Sequence, residues 1–547
     1  MHRLRVSGSQ AISKIFQDIN TEVTELEKMY PEILQMPGLM KGYMRFVGEV
    51  MLGHLRYGTQ GKNNVEFCHP FVKPHINPTR NLTMAGNFNL VNTDELFALL
   101  DQHPSGTLRE SDLGAMIELI HYYLCLADDT DPETLNIEGI LKQATTHFDG
   151  GYVFSGLIGN GDSFVMRDPN GIRPCYYYQD DEIVVAASER AAIMTAFNVT
   201  QQQVTKLEPG RAIIVSAKGE FSNVEILAPR AHTACSFERI YFSRGSDPDI
   251  YRERMELGRN LAGTVLKALN NDLKNTIVSF IPNTAEIAFY GLIKGLEDYL
   301  KEIKLQRIFA RKDMTEEEMR ELIGRRVRIE KIAIKDVKLR TFITEDASRN
   351  EMVQHVYDIT YGTVQRDVDT LVIIDDSIVR GTTLRESIIK MLNRLGPKRI
   401  VVVSSAPQIR YPDCYGIDMS RMGDFIAFQA AVHLLADHGQ QEKLHTIYNQ
   451  CKEAETAGKL HEENFVKGVY ASFTAEEISK KIAQMLKHED VTAEVDVIYQ
   501  SIEGLHEACP HNQGDWYFTG NYPTPGGNKV ANRAFMNYME KEEKRGY

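Results

Sequence analysis

The chain has 547 residues, 43% of them apolar, with 62 Lys and Arg against 75 Asp and Glu and a net charge of −13. This length and apolar fraction allow several packed domains, and the acidic balance excludes a protein that holds nucleic acid over a broad basic face. Seven cysteines, odd in number and without a CxxC pair, argue against a disulfide framework and for a reducing, cytoplasmic compartment.

Residues 1–228 carry short alternating segments broken by Gly, Asn and Asp, such as GYVFSGLIG at 151–159, SFVMRD at 163–168 and EIVVAAS at 182–188. Such alternation predicts antiparallel strands, and TDELFALLDQH at 93–103 reads as a helix with an acidic first turn. The whole predicts a layered α+β domain. The most apolar stretch, 113–127, contains Glu118 and His121 and reads as a buried helix rather than a membrane span. No membrane or nucleic-acid partner is expected.

Residues 235–435 change to continuous apolar runs: TIVSFIP at 276–282, TLVIIDD at 370–376 and RIVVVSSAP at 399–407. A helical spacing between the last two makes a βαβ unit, so this is an α/β domain with a parallel sheet. Mixed charge at 298–339, with a capping box from Thr315 to Glu318, reads as a solvated helical excursion. Residues 436–547 read as a polar, largely helical extension packed on that domain, with a second capping box from Thr474 to Glu477.

The string TLVIIDDSIVRGTTLRES, 370–387, carries the clearest chemistry. A buried strand ends in Asp375 and Asp376, and a loop then leads into a helix N-terminus, where free N–H groups suit a phosphate. Gly381 allows close approach of the backbone, Ser377, Thr382 and Thr383 supply hydroxyls, and paired carboxylates suit vicinal ribose hydroxyls. An acidic turn capping a helix is the plain alternative for the two acids alone.

The full string resembles the phosphoribosyl pyrophosphate signature of type I phosphoribosyltransferases. Four more segments are similar to amidophosphoribosyltransferases: CSFERIYFSR (235–244), KLRTFI (338–343) with Arg349, SSAPQIRYPDCYGIDM (404–419) and FTGNYPT (518–524). The resemblance implies that Asp375 and Asp376 bind ribose and Mg²⁺. Ser377, Arg380, Gly381, Thr382 and Thr383 would cradle the 5-phosphate, and Asn283, Thr284 and Arg349 would meet the pyrophosphate. The family has Asp and Gly where this chain has Asn283 and Ala285.

In the first region GHLRYGTQG (53–61), GNFNLVN (86–92), ESDLG (110–114), RDPNGIRP (167–174) and LEPGR (207–211) resemble class II glutamine amidotransferases, a type 2, Ntn-hydrolase-like fold. Carried over, Arg56 and Asp112 bind glutamine, and Asn87 with the N–H of Phe88 stabilises the oxyanion. The family's nucleophile is an N-terminal cysteine; this chain starts Met-His-Arg, and the nearest cysteine is Cys68. The nucleophile is therefore unassigned, and a longer product is expected in preference to a lost glutaminase. Some family members hold a four-cysteine iron–sulfur cluster. Here Cys235 and Cys414 lie near two of those positions, while the other two fall near Gly514 and Tyr517, so no cluster is expected.

The implied activity is formation of 5-phosphoribosylamine from phosphoribosyl pyrophosphate and ammonia, free or drawn from glutamine, in purine synthesis by a homo-oligomer. The alternatives are a phosphoribosyl pyrophosphate-binding regulator and a phosphoribosyltransferase whose glutaminase is lost.

Overall fold

The computed structural model describes residues 1–8, 10–55, 65, 68–101, 112–127, 135–311, 313–335, 357–417 and 419–542. Two compact units divide the chain. The first comprises Met1–Thr233 with Cys414–Met419, and the second Ala234–Asp413 with Ser420–Gly546.

The first unit is built on a six-stranded antiparallel sheet. Its strands are β1 (Phe71–Lys73), β2 (Leu82–Leu90), β3 (Gly150–Ile158), β4 (Ser163–Arg167), β8 (Arg211–Val215) and β9 (Phe221–Glu225), neighbours in that order. The intervening β5 (Tyr176–Gln179), β6 (Val184–Ala187) and β7 (Thr205–Lys206) form a small antiparallel sheet of their own. One face of the large sheet supplies Leu82, Met84, Tyr152, Phe154 and Phe164 to a core completed by the helix Asp112–Leu126. That helix is buried along most of its length, as its composition predicts. It carries Glu118 inside because Lys73 Nζ meets Glu118 Oε1 at 2.7 Å, and a buried carboxylate needs such a partner.

The second unit holds a parallel sheet. Here β10 (Thr276–Phe280) lies between β11 (Arg328–Ile329) and β14 (Thr370–Asp375), followed by β15 (Arg399–Ser404) and β16 (Glu494–Tyr499). Two short strands, β12 (Ala333–Lys335) and β13 (Tyr357–Ile359), pair antiparallel apart from it. The central strands are apolar throughout, with Leu371 to Ile374 and Ile400 to Val403 fully buried, because a parallel sheet covered on both faces offers no solvated side.

The helices Pro248–Ala268 and Glu286–Ala310 pack closely beside this sheet. Small residues set their distance: a Cβ on Gly258 would stand 1.8 Å from the carbonyl oxygen of Ala288, and one on Gly291 1.9 Å from that of Met255. The charged excursion is the far part of the second helix plus the helix Glu316–Gly324, and the capping boxes at Thr315–Glu318 and Thr474–Glu477 both form.

One element departs from the sequence reading. Residues 436–547 are largely helical, but they also supply β16, which pairs with β15 from Arg399 opposite Glu494 to Ser404 opposite Tyr499. As an edge strand it is only partly buried, so its sequence lacks the continuous apolar run of its neighbours.

Candidate functional site

In the second unit the carboxyl ends of β10 and β14 lie side by side, Phe280 opposite Ile374, and the loops after them converge. Past β14, the Asp375 and Asp376 carbonyls accept the N–H groups of Ser405 and Ala406 at 2.9 and 3.0 Å, which pins the acid pair to the segment after β15. Ser377 Oγ donates to Asp376 Oδ1 at 2.9 Å, and Ser405 Oγ donates to the Asp376 carbonyl at 3.1 Å. Burial pushes Asp376 up to about 6. Hydrogen bonding from Ser377 and the positive charge of Arg254 pull it the other way, with a smaller contribution from Thr284 on the β10 loop.

Past the acids, Ile378 is buried and Val379 accepts the N–H of Ile426, so the loop is anchored at its middle. Arg380 pairs with Asp424 at 3.0 Å. Gly381 has φ +72°, and a Cβ there would stand 2.5 Å from Ile426 Cδ1. Only glycine meets both conditions without strain. Thr382 and Thr383 are exposed. A π-helical turn, Leu384–Ile388, follows and runs into the helix Ile389–Asn393. The loop is therefore a rigid turn with hydroxyls outward at a helix start, an arrangement that accepts an anion.

In the β10 loop, Asn283 accepts the N–H of Glu286 at 3.2 Å and Ala285 opens the long helix. Ala285 has φ −68° and ψ −12° and is fully buried. That conformation makes no demand for glycine, so the family's Gly is replaced here without backbone strain. Arg349 and KLRTFI, 338–343, lie outside the described residues.

In the first unit Asn87 and Phe88 sit on β2, opposite Val153 and Tyr152 of β3. The N–H of Gly86 donates to His69 Nδ1 at 3.3 Å, away from β3. Alternate residues of a strand direct their N–H groups to the same side, so the N–H of Phe88 also points to this edge. β1 covers that edge only from Leu82 to Met84. His54 Nε2 meets the Gly86 carbonyl at 3.0 Å, the His54 and His69 rings stack at 4.1 Å, and His69 stacks on Phe88 at 5.8 Å. Neither histidine is among the residues singled out from sequence. His54 stands inside GHLRYGTQG and was legible there, whereas His69 carries no motif.

Arg56 lies outside the described residues. Asp112 starts its helix and accepts the N–H of Leu113 at 3.0 Å. Cys68 is half-buried next to His69, and its carbonyl accepts Arg5 Nη1 at 3.2 Å.

RDPNGIRP and LEPGR fold into one another. Arg167 donates to the carbonyls of Arg173, Gly171 and Leu207, while Asp168 accepts the N–H groups of Asn170 and Ile172, each at 3.0 Å. Arg173 in turn holds the carbonyl of Tyr415, with Nε at 2.8 Å, and Asn89 Nδ2 donates to that of Cys414 at 2.7 Å. In the second unit Cys235 Sγ lies 3.2 Å from the hydroxyl of the fully buried Tyr517.

Residues 70–195 match a family described as a glutamine amidotransferase domain. An amidophosphoribosyltransferase of Escherichia coli is 28% identical over 402 residues, covering 70% of each chain. That of Pasteurella multocida is 27% identical over 410 residues, 72% of this chain and 73% of its own. That of Saccharomyces cerevisiae is 26% identical over 487 residues, 82% and 85%. Among solved structures, the glutamine phosphoribosylpyrophosphate amidotransferase of B. subtilis, complexed with ADP and GMP, aligns with a TM-score of 0.57 at 24% identity, over 86% of this chain and 82% of its own. The fold is thus that of a type 2 glutamine amidotransferase joined to a phosphoribosyltransferase, and the resemblance read from sequence is borne out.

Proposed function

We propose that this chain is an amidophosphoribosyltransferase of purine synthesis, joining ammonia to C1 of phosphoribosyl pyrophosphate with release of pyrophosphate. The observation that carries the reading is the placing of two loops side by side at the carboxyl ends of adjacent parallel strands, with Phe280 opposite Ile374 and the Ile281 N–H donating to the Ile374 carbonyl at 2.9 Å, so that Asn283 and Thr284 follow one strand and Asp375 and Asp376 end the other. A ligand with a phosphorylated ribose at one end and a pyrophosphate at the other needs two such loops on adjacent strands.

Asp375 and Asp376 accept the ribose hydroxyls. Ser377, Gly381, Thr382 and Thr383 offer N–H and hydroxyl donors to the 5-phosphate, with the Arg380 charge beside them. Asn283 and Thr284 face the pyrophosphate, with Arg349 assigned there from sequence. As ammonia attacks C1, the bond from C1 to the pyrophosphate oxygen breaks and the new ammonium group gives up a proton. The protein contributes positioning and charge stabilisation.

Magnesium fits this chemistry through hard carboxylate oxygens. No group of three or more His, Cys, Asp or Glu able to hold a metal occurs among the described residues. Asp375 and Asp376 would thus share Mg²⁺ with substrate oxygens, and the ion would neutralise the leaving pyrophosphate. For an iron–sulfur cluster the fit is poor: Tyr517 fills the space against Cys235.

In the first unit the Phe88 N–H on the open edge of β2, with the Asn87 side chain, forms the oxyanion site for glutamine hydrolysis. Arg56 and Asp112 bind the amino acid. His54 and His69 fix the edge on which Phe88 lies.

The test is pyrophosphate release from phosphoribosyl pyrophosphate with ammonium chloride and Mg²⁺, with Asp375→Asn as control. Ammonia-dependent release that the substitution abolishes supports the reading. Binding of phosphoribosyl pyrophosphate without turnover would leave a regulator instead.

A further inference from the structure

Arg380 stands in the loop after β14, between two residues whose backbone is fixed. The Val379 carbonyl accepts the Ile426 N–H at 2.9 Å, and Gly381 keeps a left-handed φ of +72° against the Ile426 side chain. The freedom left at this point of the loop is that of the Arg380 side chain, and a long side chain has much rotamer entropy to lose on binding an anion. Its Nη2 pairs with Asp424 Oδ2 at 3.0 Å, and the side chain is 47% exposed.

Asp424 belongs to no motif read from the sequence, yet it sits on a rigid turn. It ends the 3₁₀ turn Met422–Asp424, and its chain neighbours Met422 and Phe425 are both buried. Gln429 Nε2 donates to the Gly423 carbonyl at 2.6 Å, and the Phe425 N–H donates to the Met422 carbonyl at 3.2 Å.

An ion pair this exposed adds little to stability. Nor is it needed to join the turn to the loop, because Ile426 already does so through Val379 and Gly381. What the pair fixes is the guanidinium. That group offers five N–H donors and a carboxylate fork engages two, so donors remain for a second anion. The exposed Thr382 and Thr383 follow in the same loop, where the π-helical turn begins.

We propose that Asp424 is a positioning residue for the 5-phosphate: it holds the Arg380 guanidinium at the loop, so that the side chain is ordered before the substrate arrives. Asp424 acts through Arg380 and does not touch the substrate. The proposal rests on the 5-phosphate role given to Arg380 above.

The test is a double-mutant cycle on the full chain, read by calorimetry as affinity for ribose 5-phosphate, with Asp424→Asn, Arg380→Gln and the double variant. Asp424→Asn weakens binding about two- to fivefold, the range of an exposed ion pair, and Arg380→Gln about tenfold or more. The double variant is no weaker than Arg380→Gln alone. Asp424→Glu, which keeps the charge, recovers most of the loss. With ammonia as the nucleophile, Asp424→Asn raises KM for phosphoribosyl pyrophosphate and leaves kcat in place; a fall in kcat without a rise in KM overturns the inference.

Unchanged or tighter binding in Asp424→Asn overturns it as well, the second because the carboxylate would then compete with the phosphate for Arg380. Losses that multiply in the double variant overturn it too, because Asp424 would then act by another route. Thermal melting identifies a variant that does not fold; if Asp424→Asn is one, Asp424→Ser takes its place in the cycle and is read the same way. Wild-type affinity in Arg380→Gln would instead remove the phosphate assignment on which the proposal rests.

Discussion

The sulfur of Cys235 and the phenolic oxygen of Tyr517 lie 3.2 Å apart although 282 positions separate them in the chain. Tyr517 is fully buried there, and Ser236, next to Cys235, donates from both its N–H and its hydroxyl to the Gly514 carbonyl. An aromatic ring and a backbone bridge thus occupy the surroundings of Cys235, one of the positions that the family resemblance associates with a cluster ligand.

The purified protein is accordingly expected to be colourless and free of iron and sulfide. Tyr517→Phe removes the hydroxyl that meets Cys235 and is expected to lower stability by about 1 kcal/mol. Iron analysis and denaturant melts check both. Stoichiometric iron with visible absorption would contradict the packing argument.

Gly381→Ala is expected to weaken the 5-phosphate loop. The new methyl must enter a left-handed backbone at φ +72° and stand 2.5 Å from Ile426 Cδ1. Strain and overpacking together predict a stability loss of about 1–3 kcal/mol and a raised KM for phosphoribosyl pyrophosphate. Steady-state kinetics with ammonia give the second number; an unchanged KM would move the phosphate elsewhere.

Ala285→Gly, which restores the family's residue, is expected to bring no gain in turnover. Ala285 already has a right-handed conformation and its methyl is buried, so the substitution removes burial and adds chain entropy. A loss of about 1 kcal/mol in stability follows. Higher activity with ammonia would show that the loop wants a different shape.

His121 should make the first unit sensitive to acid. Burial first, then the charges of Lys73 and His75, lower its pKa to about 4, against 6.5 for the free side chain. The unfolded chain therefore takes up a proton near 6.5 while the folded chain resists until about 4. Stability is complete above 6.5 and declines as pH falls through that window, by up to a few kcal/mol. Chemical denaturation at pH 7 and pH 5 should show a smaller difference for His121→Gln than for the parent; an equal difference assigns the effect to other groups.

The parts of the site that lie close together in the chain were legible from sequence. The apolar run ending at Asp375, the glycine at 381 and the hydroxyls around it form one continuous string, and local backbone chemistry dictates a strand, a turn and a helix start. What was hidden comes from distant pieces. The loop of Asn283 and Thr284 lies beside Asp375 and Asp376 only because β10 and β14 pair, across some ninety positions of chain, and His69 meets the Gly86 N–H from a segment that carries no motif. β16 went unseen for a related reason, since the edge of a sheet does not demand an unbroken apolar run.

The short passage Cys414–Met419 carries a further consequence. It belongs to the first unit although the residues on both sides of it belong to the second. A fragment ending at Thr233 would strip the Tyr415 carbonyl from Arg173 and the Cys414 carbonyl from Asn89, two side chains that are 2% and 4% exposed. Buried donors without acceptors cost about 1–3 kcal/mol each. A fragment ending at Thr233 is therefore expected to be less stable than the same residues within the full chain.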